Sequence, residues 1–136
     1  MKLQPDRIEA PVISGYGTGW IAVMGERIES SLVLGSRGER LAWPCRSFEA
    51  LQAEHFDMLA ALSPELVLFG SGAKIRFPKP AWLQALTLKR IGLETMDTPA
   101  ACRTYNILAS EGRHVVVAML LETQARSDEV EHQVSS

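Results

Sequence analysis

The chain is 136 residues long, 46% hydrophobic and 22% charged, with a formal net charge of −2. That length suits one domain with a sizeable core, and no apolar run approaches the roughly 20 residues that cross a bilayer as a helix. Lysines and arginines are scattered, so counterion release has no evident source and a nucleic-acid partner is not expected.

The opening, MKLQPDRIEA, carries Asp6 and Glu9 and has no apolar centre. It reads neither as a secretory signal nor as an Arg-rich transit helix, so a cytoplasmic location is the expectation. In GWIAVMGERIESSLVLG the alternation of Ile21 and Val23, then Ile28, Leu32 and Leu34, predicts strands with one buried face. Gly25-Glu26 supplies a turn between them and GSRGE (35–39) a second, giving a meander of two or three strands over 19–43. Ser47 offers an N-cap, and Phe48, Leu51, His55, Met58, Leu59 and Leu62 follow at helical spacing until Ser63-Pro64 ends the pattern.

The grammar then changes. ELVLFG (65–70) is continuously apolar, as expected of a strand covered on both faces, and Pro80 opens a helix to about Arg90. GLETM (92–96) reads as the next strand, Thr98 and Pro99 as the cap and first turn of a helix ending near Gly112, and HVVVAMLLE (114–122) as the central strand. The order β-α-β-α-β predicts a parallel core, since helical crossovers return successive strands in the same direction. Residues 1–122 form the expected domain. From Thr123 the sequence is polar and acidic without periodicity and reads as a mobile tail.

Ligands of open α/β sheets bind at the carboxyl ends of the strands. There the sequence places Gly70, Ser71, Gly72, Lys74 and Arg76, and the helix start at Thr98. Backbone amides and these side chains form a candidate pocket for a small anionic ligand. Phosphate-loop signatures are missing: Gly70 and Gly72 stand too close for a Walker loop, and a dinucleotide fingerprint needs glycine where Ile75 stands. The commoner reading is that the glycines let a strand end turn sharply.

Phe77, Pro78 and Trp82 give a second candidate, an apolar interaction surface beside the loop, although core packing is the usual fate of such aromatics. His55 lies on a helical apolar stripe and reads as a core histidine, while His114 and His132 sit in a strand and in the tail. No metal site or cofactor is expected. Cys102 falls on a packed helix face, and Cys45 has no cation to activate it. The pair gives neither a disulfide framework nor ligand spacing. Glu94, Asp97 and Glu111 form no acid/base set, so no catalytic residue is assigned.

The succession LVLFGSGAKIRFP, then TPAACRTYNIL, EGR and an apolar strand, resembles a small domain-of-unknown-function family. That family includes the mitochondrial complex I assembly factor three and an adipogenesis-associated protein, and the likeness runs over roughly residues 8 to 122. It implies three layers: a mixed central sheet, helices packed on it, and an additional antiparallel β layer from the N-terminal half. It implies no reaction and no catalytic residues to transfer. The eukaryotic relative's presequence has no counterpart here, which again implies a cytoplasmic protein. The resemblance draws attention to Arg103 and Asn106, three apart on one side of their helix, as residues that could tie it to the glycine loop. Two functions follow as expectations: a non-catalytic interaction or assembly module with a protein partner, or a small-molecule or anion-binding protein, with or without enzymatic activity, that uses the glycine loop after the strand at 65–70.

Overall fold

The computed structural model describes residues 10–122. The expected tail from Thr123, and His132 within it, lie outside these residues. Three short strands, β1 (Ile13–Gly17), β2 (Trp20–Val23) and β3 (Glu26–Ile28), form an antiparallel sheet in chain order. Five more form the central sheet: β4 (Leu32–Gly35), β5 (Arg40–Ala42), β6 (Leu66–Gly70), β7 (Gly92–Met96) and β8 (Val115–Met119), ordered β5-β4-β8-β6-β7. β8, β6 and β7 run parallel, and β4 and β5 add antiparallel pairings on one side, so the sheet is mixed. The helices are α1 (Ala53–Ala60), α2 (Gln84–Leu88) and α3 (Thr98–Ser110).

β8 shows why the molecule has three layers. Its side chains alternate across the sheet. Val115, Val117 and Met119 enter one apolar cluster with Ile13, Ile21, Cys102 and Tyr105; Val116 and Ala118 enter another with Phe56, Phe69 and Leu86. The first cluster lies under α3 and the small sheet, the second under α1 and α2. A strand buried on both faces has no polar side to alternate with, hence the unbroken valine run.

The N-terminal half departs from a single meander. β2 alternates in burial and stays in the small sheet, whereas β4 is buried at all four positions and pairs with β8. Ser31 and Ser36 flank β4 and secure both its ends. Ser31 Oγ accepts from Leu121 N at 2.9 Å, and Ser36 Oγ accepts from Val115 N at 2.9 Å while donating to Arg113 O at 2.6 Å. The helix expected from Ser47 divides: a 3-10 turn covers Phe48–Ala50, Leu51 is extended, and α1 begins at Ala53. The His55 ring explains the restart, because Nδ1 accepts from Gln52 N at 3.0 Å. That fixes the proton on Nε2, which donates to Pro44 O at 2.8 Å. At α3 the cap is Asp97, not Thr98: Asp97 Oδ1 accepts from Ala100 N at 2.8 Å. Thr98 is freed for another task.

Candidate functional site

The parallel strands bring the turn after β6 and the start of α3 to one rim. Thr98 N donates to Gly72 O at 2.8 Å, and Gly72 N donates to Thr98 Oγ1 at 2.9 Å, so loop and helix grip each other. The same hydroxyl donates to Leu120 O at 3.1 Å. Gly70 ends β6 where a Cβ would stand 3.0 Å from Thr98 Cα. At Gly72 φ is +105°, and a Cβ would meet the Arg76 guanidinium at 2.6 Å.

Arg76 turns inward. Its Nη2 donates to Ser71 O at 2.6 Å and pairs with Glu122 Oε1 at 2.7 Å, and the guanidinium lies 4.9 Å from the Phe48 ring. Glu122 Oε2 accepts from Phe48 N at 2.9 Å. Ser71 completes the knot: its N donates to Met96 O, and its Oγ accepts from Arg76 N and donates to Lys74 O, both at 2.8 Å. Gly70, Ser71, Gly72, Arg76 and Thr98 are therefore brought together. The amides of Ser71 and Gly72 and the charge of Arg76 are engaged within the protein, while Lys74 is exposed beside them.

Arg103 and Asn106 are not brought to the loop. Asn106 behaves as a short strand, with Oδ1 accepting from Ile13 N at 2.9 Å and Nδ2 donating to Ile13 O at 2.8 Å. Arg103 Nη1 donates to Tyr16 OH at 2.8 Å. Both hold β1 against α3. Of the apolar candidates, Pro78 is buried and Trp82 is half-buried, stacked on Phe56 at 5.9 Å; Phe77 stands out in solvent.

Sequence reasoning missed the space this arrangement leaves. A cleft of about 530 Å³ opens between the β1–β2 turn (Tyr16 to Gly19) and the loop at Gly72 and Ala73, with Pro99 on one wall and Leu120 and Leu121 beneath. Its lining comes from four separate parts of the chain, so local spacing carries no sign of it. A more polar cleft of about 450 Å³, with Ser36, Arg37 and Arg113 in its lining, lies at the far end of α3, beside Ser110 and Gly112.

Also unforeseen was a partly buried pair near that second end, in which His114 Nε2 donates to Glu39 Oε2 at 2.6 Å. Burial works against the Glu39 carboxylate, but the bonds from His114 and from backbone amides outweigh it and hold the group below its ordinary value. Burial pushes the Cys102 thiol up to about 12 and raises Cys45 as well, so both sulfurs are held as thiols. Among the described residues no three His, Cys, Asp or Glu side chains converge as a metal site, and no helix is long and apolar enough to cross a membrane.

Comparison with known proteins adds three likenesses. Over 120 residues the chain is 32% identical to the mouse (Mus musculus) NADH dehydrogenase (ubiquinone) 1 alpha subcomplex assembly factor 3, covering 87% of this chain and 64% of that protein. The chain thus spans just under two thirds of that relative's length. It is 27% identical over 117 residues to the 13 kDa major membrane protein of Francisella tularensis, covering 85% of this chain and 95% of that one. A crystal structure of a protein from Bordetella parapertussis superposes with a TM-score of 0.79 at 35% identity, covering 84% of this chain and 98% of that one. The mixed sheet, the antiparallel layer and the Thr98–Ser110 helix fall within the family model that matches residues 13–120, and the chain belongs to that family, described as protein of unknown function (DUF498/DUF598).

Proposed function

We propose that this chain is a non-catalytic, assembly-type module that receives a segment of a protein partner in the cleft between the β1–β2 turn and the glycine loop. The observation that carries this reading is the cleft itself. Gly17, Gly19 and Gly72 keep its walls low, Leu120 and Leu121 give it an apolar floor, and the paired bonds between Gly72 and Thr98 hold one wall in place before any partner arrives. The name of the mouse relative supports an assembly role. Residues Phe77, Pro78 and Trp82 do not act as one surface in this reading, because two of them pack inward and Phe77 alone projects.

The reading of the loop as an anion site has less support, since the amides of Ser71 and Gly72 and the Arg76 guanidinium already have partners within the protein. A cytoplasmic location belongs to the proposal, and the name of the Francisella relative, a membrane protein, is compatible with reversible attachment to a membrane surface from that side.

Ala73→Trp is the test. Ala73 is exposed and lines the cleft, so the indole fills the space without entering the core. Photo-crosslinking from Thr18 in cells should trap a discrete partner in the native background and none with Ala73→Trp, at unchanged Tm. An undiminished crosslink in the filled variant would overturn the assignment of the cleft.

A further inference from the structure

Between Glu65 and Glu94 the chain has no acidic residue, yet that stretch holds Lys74, Arg76, Lys79, Lys89 and Arg90. A molecule of net charge −2 therefore has one locally cationic segment. Its tip is shaped by the Arg76 knot. With the backbone N–H and the guanidinium of Arg76 both bonded to Ser71, and the guanidinium to Glu122, the extended chain turns its neighbours the other way. Ile75 is 52% exposed and Phe77 72%. Pro78 is buried behind them and anchors the segment. Lys74 and Lys79 flank the pair, both exposed, with Lys79 Nζ 5.6 Å from the Trp82 ring. The fold holds an aromatic and an aliphatic side chain outward between two cations.

We propose that this tip, from Lys74 to Lys79, docks on an anionic lipid surface, with Ile75 and Phe77 entering the interfacial region and the two lysines at the headgroups. The shape of the feature selects the partner. A stable protein interface takes roughly 800 Å² from each side, and Ile75 and Phe77 line neither cleft. A bilayer needs no matching surface: it accepts a small apolar wedge and is attracted by adjacent lysines. One such wedge gives reversible attachment, unlike a membrane-spanning helix. This inference stands apart from the cleft, because none of its four residues lines that space.

The experiment is co-sedimentation of the full chain with vesicles of phosphatidylcholine alone or mixed with phosphatidylserine, at low and high salt. Binding is expected only to the mixed vesicles and should fall with salt. Lys74→Ala and Lys79→Ala should each weaken it about fivefold, and the pair Ile75→Ser with Phe77→Ser should abolish it. All four side chains are exposed, so Tm should hold; should the double serine variant lose its fold, Lys74→Glu with Lys79→Glu must abolish binding in its place. The proposal is overturned if mixed vesicles are not bound, if binding ignores salt or the substitutions, or if Phe77 instead crosslinks a protein while vesicles are left free.

Discussion

Two partly buried carboxylates do different work in this molecule. Glu122 closes the Arg76 knot under the glycine loop, where Gly72 must be glycine because a side chain would occupy the place of the guanidinium. Glu39 fastens the β4–β5 hairpin to the start of β8, with one oxygen accepting from Arg37 N at 3.0 Å and the other from His114 at 2.6 Å. These bonds hold the folded Glu39 below its ordinary 4.5 despite the burial that opposes them. A group lowered in this way stabilises the fold above its unfolded value, and the contribution is lost as pH falls through the folded one. The window therefore lies below pH 4.5. Urea unfolding from neutral pH into that window should show native stability falling more steeply than in Glu39→Gln, which has no carboxylate to protonate; the variant should be the weaker of the two at neutral pH. Parallel pH profiles would show that the carboxylate has no such role.

At the scale of elements, α3 is the part on which most others depend. It starts under the glycine loop, covers one face of β8 and β6, and holds β1 through Asn106. That last contact is testable by charge. Asn106→Asp keeps the acceptor for Ile13 N but sets a second oxygen against Ile13 O, where Asn106→Ala leaves room for water. The aspartate should cost roughly 1–3 kcal/mol and more than the alanine, read as Tm; an aspartate variant as stable as the native chain would contradict the pairing. The three parallel strands and α3 were legible because apolar runs, Pro99 and the strand-helix alternation are local signals. β1 was not: ISGYG has two glycines and little alternation, and its place depends on Asn106, 93 positions away. The glycine loop was found by composition, but its inward Arg76 was not, because the partner Glu122 is 46 positions distant. The side of the sheet taken by β4 was not legible, because WIAV is as apolar as LVLG; pairing with β8 is what buries every position of the one while burial of the other alternates.

For the molecule as a whole, the central sheet is a partition with an apolar cluster on each side, and β8 contributes to both. Loss on one side must therefore be felt on the other, since neither cluster can open without uncovering the shared strand. The tryptophans allow this to be seen. Trp20 belongs to the small sheet, whereas Trp43 and Trp82 pack in the cluster beneath α1 and α2. With Trp20→Phe in place, the remaining fluorescence reports the α1 and α2 face alone. Ile21→Ala then removes a fully buried side chain from the opposite cluster, at about 2–5 kcal/mol for a cavity of that kind. The expected result is a fall in the denaturant midpoint read from Trp43 and Trp82, coincident with far-UV circular dichroism, as one cooperative unit requires. A fluorescence transition left in place while part of the dichroism is lost early would mean that the small sheet detaches by itself, and the two clusters would then be separate units of folding.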